Sequence, residues 1–67
     1  MIELTINGAP RQFDGPLNVT RLVEHLDLVG KRIAVERNGD IVPRSQFSDT
    51  HLSSGDKLEI VVAVGGG

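Results

Sequence analysis

Gly55-Asp56-Lys57-Leu58-Glu59-Ile60-Val61-Val62-Ala63-Val64-Gly65-Gly66-Gly67 is the stretch whose reading decides the fold. Gly55-Asp56 is a turn signal, and the run from Lys57 to Val64 is the longest and most β-prone apolar segment of the chain. Leu58, Ile60, Val62 and Val64 alternate onto one face, while Val61 and Ala63 leave the other face apolar as well. Such two-sided character belongs to a central strand with part of its second face open to a partner. Gly65, Gly66 and Gly67 then carry no Cβ and no side-chain chemistry, so the reactive group left there is a carboxylate. Extended chain rises roughly 3.3–3.6 Å per residue, so these glycines carry it about 10 Å past the strand on a tether thin enough for a narrow channel. The expected division is a handle over residues 1–64 and a working tail over 65–67; a frayed, inert end is the alternative.

Upstream, Ile2, Leu4 and Ile6 alternate with Glu3 and Thr5, and Asn7-Gly8 is a two-residue hairpin signal. The return strand Ala9 to Phe13 contains Pro10, which cannot donate to a ladder and so belongs at a sheet edge. Asn18 caps a helix of about ten residues whose apolar positions Val19, Leu22, Val23 and Leu26 share one face, with Gly30 supplying the left-handed residue that ends it. Ile33 and Val35 begin a second hairpin turned at Asn38-Gly39, and Pro43 stops its short partner Asp40-Ile41-Val42. Pro43 to Phe47 reads as a turn that drops Phe47 into the core, and Ser48 to Ser54 as a loop anchored by Leu52. Leu4, Leu22, Leu26, Ile33, Ile60 and Val62 are expected to share one core. The order fits an α+β, β-grasp (ubiquitin-like) architecture: a mixed sheet of four to five strands, strand 1 parallel to the final strand, one helix packed across one face.

Composition narrows the function. A chain of 67 residues is one small domain, and such a domain buries only about 60% of its unfolded surface, leaving little for a deep catalytic cavity. There is no Cys, hence no disulfide, thiolate nucleophile or thiolate metal site. Seven Lys and Arg against nine Asp and Glu give a net charge of -2 with the signs mixed, which argues against nucleic acid as a partner. No apolar run approaches the 18 or so residues of a membrane span, and the start, Met1-Ile2-Glu3-Leu4, has no basic n-region, so a soluble, cytoplasmic protein is expected. The carboxylates stand singly and read as solvated, giving no catalytic pair. His25 and His51 lack metal-ligand spacing and read as surface or boundary residues. Arg37, Arg44 and the turn Asn38-Gly39-Asp40 offer either a polar partner contact or a solvated hairpin tip. No phosphate-cradling glycine motif occurs.

Four stretches carry a family resemblance: Val19-Thr20-Arg21-Leu22-Val23; Val35-Glu36-Arg37-Asn38-Gly39 with Ile41-Val42-Pro43-Arg44; Gly55 to Val61; and Ala63-Val64-Gly65-Gly66-Gly67. Together they resemble the ThiS family, the ubiquitin-like sulfur carriers of thiamin biosynthesis, over the whole chain. The tail has three glycines where the minimal family pattern needs two, and Arg21 stands where an acidic residue is frequent. The resemblance implies a protein co-substrate, with no catalytic residue, metal or cofactor of its own. An E1-like adenylating enzyme (ThiF-like), using ATP and Mg, would convert the Gly67 carboxylate to an acyl adenylate. A persulfide sulfur donor would make it a thiocarboxylate, and thiazole synthase (ThiG-like) would take the sulfur. Gly65 and Gly66 would thread the partner's channel, and Val61, Ala63 and Val64 would form the docking strip. A carrier for molybdopterin or cysteine synthesis has the same tail and activation; a non-catalytic β-grasp interaction module is the rival of another class.

Overall fold

Two Asn-Gly pairs set the hairpins. In the computed structural model, which describes residues 1–63, Asn7 and Gly8 have φ of 51° and 84°, and Asn38 and Gly39 have 51° and 89°. These left-handed pairs match strand twist, as in type I′ turns. The first joins β1 (Ile2–Ile6) to β2 (Ala9–Phe13), and the second joins β4 (Ile33–Arg37) to β5 (Asp40–Val42). Between them, β3 (Leu17–Asn18) leads into α1 (Val19–His25); after them come a 3₁₀ turn (Arg44–Gln46), β6 (His51–Leu52) and β7 (Lys57–Val62).

The main sheet has the order β2-β1-β7-β4-β5, so the last strand is central, parallel to β1 and antiparallel to β4. Pro10 lies in the edge strand β2, where no further strand needs its missing N–H. This is the mixed five-stranded sheet with one helix expected of a β-grasp fold. The core forms where α1 meets the sheet: Leu4, Leu22, Leu58, Val19 and Val35 are almost fully buried, with Ile60, Phe13 and Leu52 around them. Each such side chain contributes about 1.5–3 kcal/mol by leaving water.

Several expectations require correction. The helix ends before Gly30: Asp27 takes the left-handed conformation at φ 59°, the Asp27 N–H donates to the Glu24 carbonyl, and the Leu28 N–H donates to the Val23 carbonyl. That is a Schellman-type stop, with Asp in the place glycine usually holds. Gly30 is left-handed too, but in the following turn. The expected N-cap holds, since the Asn18 side-chain oxygen accepts from the Arg21 N–H at 2.8 Å. Seven helical residues span about 10 Å and cannot cover all of β7. Val62, placed in the core by alternation, is accordingly 41% exposed, and Leu26, Ile33 and Phe47 are only half-buried against the core. The segment Ser48 to Ser54 is not all loop, for β6 pairs with β3 antiparallel.

The carboxylates are not all solvated either. Asp56 is buried and ties its own loop to the β4–β5 hairpin: it accepts from the Ser53 N–H at 2.9 Å, the Asn38 side-chain amide at 3.1 Å and Arg37 Nε at 3.0 Å. Arg37 and Asn38 therefore face inward onto Asp56 instead of forming a wholly solvated hairpin tip. Burial raises the Asp56 pKa, but the Ser53, Asn38 and Arg37 hydrogen bonds and the Arg37 charge outweigh it, leaving the carboxyl below its usual value. A depressed folded-state pKa adds stability above the unfolded value of about 4, which is lost as pH falls through the folded value. Asp56→Asn is therefore expected to cost roughly 1–3 kcal/mol at neutral pH. Denaturant midpoints should converge between the two proteins as the solution is acidified below about pH 4. A gap that stays constant with pH would contradict this role.

Candidate functional site at the end of the final strand

Of the expected site residues, Val61 lies in β7 and Ala63 directly follows it. Val62 pairs with Ile33, and the Ala63 N–H donates to the Arg32 carbonyl at 2.8 Å, so the backbone ladder with β4 continues to Ala63. Val64, Gly65, Gly66 and Gly67 lie outside the described residues. Of the expected docking strip, Val61 is 62% exposed on the sheet face opposite α1, and Ala63 is exposed beyond the strand.

Register places further apolar surface beside Val61. Ala34 is its direct cross-strand partner and is exposed; Ile41, 72% exposed, pairs with Glu36 one step along the same face. Glu36 and Glu59 face each other directly in the β4–β7 register, a like-charge pair that opposes the pairing. The open face thus combines an apolar strip near the strand's end with an acidic pair behind it. Val61 was legible from its place in the alternation. Ala34 and Ile41 were not, because their proximity depends on the register between strands.

The strand's position is held by side chains from both hairpin turns. Beyond the Ile6 and Leu58 pair, β1 has no further residues to offer β7. There the Asn7 N–H donates to the Leu58 carbonyl at 2.9 Å, and the Asn7 side chain continues the ladder: Nδ2 donates to the Ile60 carbonyl at 3.0 Å and Oδ1 accepts from the Ile60 N–H at 2.7 Å. On the other side, Asn38 Oδ1 accepts from the Lys57 N–H at 2.9 Å, while the Asn38 N–H donates to the Lys57 carbonyl at 2.8 Å. Each amide mimics a peptide group, bonding both backbone groups of Ile60 in one case and the Lys57 N–H in the other.

The histidines lie away from this end. The exposed His25 packs edge-on against Phe13 with ring centroids 5.6 Å apart, and His51 is exposed in β6 opposite Asn18. The strand's exit holds an apolar strip and backbone ladders, suited to presenting a chain end and not to transferring protons.

Comparison with known proteins gives this arrangement its context. A crystal structure of the thiamine biosynthesis protein ThiS from Geobacter metallireducens superposes with a TM-score of 0.83 at 38% identity, covering 98% of this chain and 100% of that one. The chain is 42% identical over 66 residues to a thiazole synthase from Paramagnetospirillum magneticum, covering 98% of this chain but only 20% of that protein's length. It is 39% identical to the protein ycf40 of Pyropia yezoensis, covering 93% of it. The ThiS family model matches residues 4–67, through the last glycine, and the chain belongs to the ThiS family, the sulfur carriers of thiamine biosynthesis.

Proposed function

We propose that residues 1–64 are a handle that proteins grip and that Gly65 to Gly67 are the tail on which the chemistry is done. The observation that carries this reading is the family match running through Gly67, on a chain whose central strand leads directly into that tail. A carboxylate is a poor electrophile because its charge is delocalised. An adenylating enzyme with ATP and Mg overcomes this: a Gly67 carboxylate oxygen attacks the α-phosphorus, pyrophosphate leaves, and an acyl adenylate forms. The outer sulfur of a persulfide then attacks the acyl carbon and AMP departs, leaving an acyl disulfide. A second thiol attacks the donor's sulfur, releases the Gly67 thiocarboxylate and forms a disulfide with the donor.

The sulfur goes on to thiazole synthase, so the protein is a co-substrate and not a catalyst. Supporting this destination, the thiazole synthase relative includes a segment similar to this chain within its own length. No Cys in the chain competes for the activated carbonyl. The reaction is proposed to be cytoplasmic, and among the described residues no helix is long and apolar enough to cross a membrane.

The test incubates the protein with the adenylating enzyme, ATP and a sulfur donor. Fragmentation should place one oxygen-to-sulfur exchange on Gly67, and alkylation should trap a thioacid; intact mass alone would not separate this from oxidation of Met1. Deleting Gly67 withdraws the carboxylate by a full residue and should abolish the reaction, since a misplacement of about 1 Å can cost on the order of a hundredfold. Gly66→Ala keeps the reach and should lose less. An unchanged carboxylate in the presence of a demonstrably active enzyme would leave only an inert interaction module.

Docking is assigned to the strip of Val61, Ala63 and Val64, with Ala34 beside it. Val61→Lys should weaken binding to the adenylating enzyme about tenfold, while the exposure of Val61 leaves the folding midpoint nearly unchanged. Normal binding by the variant would move the docking surface elsewhere.

A further inference from the structure

A second surface lies on the helix side of the sheet, beside the end of β7. A groove of about 200 Å³ opens between the end of α1, the following turn, the start of β4 and the 3₁₀ turn. Leu28, Ile33 and Phe47 form its half-buried apolar floor, Val29 stands at its edge 68% exposed, and Lys31 and Arg44 line it. Glu24 also lines it but is paired with Arg21 at 3.8 Å. The ion pairs among the described residues are Arg21 with Glu24 and Arg37 with Asp56, so Lys31, Arg32 and Arg44 have no carboxylate partner among them. Two of these cations, Lys31 and Arg44, thus line one groove on a chain whose net charge is -2.

Backbone contacts join the groove to the end of β7. Arg44 Nη2 donates to the Lys31 carbonyl at 3.4 Å, the Arg32 carbonyl holds the Ala63 N–H, and the floor residue Ile33 pairs with Val62. A protein that grips the domain where β7 ends therefore meets this groove. Apolar floor and exposed valine reward a hydrophobic side chain, and the flanking cations reward carboxylates beside it. A free anion would gain nothing from the floor, and two groove cations on an acidic chain make a poor footprint for nucleic acid.

We propose that this groove is a second docking surface, filled by an acidic segment of the adenylating enzyme that inserts an apolar side chain between Lys31 and Arg44. The identity of the occupant rests on the sulfur-carrier reading, and the adenylating enzyme is chosen because activation is common to every pathway such a carrier could serve. The open sheet face and the groove would then hold the domain on both sides of the strand that feeds the tail.

The test measures the affinity of the adenylating enzyme from the same organism for the wild-type chain, for Lys31→Glu/Arg44→Glu and for Val29→Asp, at low and high salt. All substituted residues are exposed, and thermal midpoints are measured alongside; if charge reversal unfolds the domain, Lys31→Gln/Arg44→Gln replaces it. The charge-reversed chain should bind about tenfold or more weakly at low salt, with a flatter salt dependence, and Val29→Asp should also bind weakly. Lys31→Arg/Arg44→Lys should retain affinity. Equal binding by wild type and the folded charge variants would overturn the proposal, as would a loss confined to thiazole synthase measured in parallel. Wild-type protein that binds neither enzyme would instead remove the sulfur-carrier reading, and the named occupant with it.

Discussion

The structure depends on how the final strand is fastened between two hairpins. β7 is the last strand of the sheet in sequence, yet it occupies the centre, so β1 and β4 meet only through it. Its register with β1 is short, two residue pairs. Two asparagine side chains and one buried carboxylate make up the difference: Asn7 bonds both backbone groups of Ile60, Asn38 bonds Lys57, and Asp56 holds Arg37, Asn38 and Ser53. The same asparagines occupy the left-handed turn positions that reverse the hairpins. Turn geometry and strand fastening are thus assigned to the same residues, an economical solution for a domain with little core to spare.

This fastening has a functional corollary. A chain end used as a substrate must be delivered along a defined direction, and the ladder that runs through Ile60, Val62 and Ala63 defines the direction in which β7 leaves the sheet. The surfaces beside that exit differ in sign. The face opposite the helix carries Val61, Ala34 and Ile41 with the Glu36 and Glu59 pair, and the helix side carries the groove with Lys31 and Arg44. A partner reading both would sense the orientation of the domain as well as its presence.

Much of this was legible in the sequence because it is local. The Asn-Gly pairs, the Asn18 cap, Pro10 at the edge and the apolar run of β7 each announce themselves within a few residues. The central position of β7 followed from its two-sided apolar pattern. What was not legible depends on contacts between distant segments or on relative lengths. Asn7 reads as a turn residue, and nothing near it reveals a partner at Ile60. Asp56 reads as half of a turn dipeptide, while its burial depends on Arg37 and Asn38 arriving from another hairpin. Val62 obeys the alternation, but the helix is too short to cover it. β6 has two residues and no periodicity to find, and the groove exists only because Arg44 and Phe47 fold back beside Lys31 and Ile33. Of the candidate site, Val61 and Ala63 are where the alternation put them, and the roles of Gly65 to Gly67 rest on the family to which the chain belongs.

The claim that side-chain amides fasten the central strand is tested most directly by hydrogen exchange at a single position. The Ile60 N–H has Asn7 Oδ1 as its acceptor, and Asn7→Gly removes that oxygen while accommodating the left-handed backbone of the turn. In the wild-type protein, Ile60 should exchange only through global unfolding. In the variant it should exchange at least about tenfold faster than the drop in global stability explains, while core amides of α1 follow global stability in both proteins. An Ile60 amide whose protection in Asn7→Gly still equals that of α1 would contradict the account.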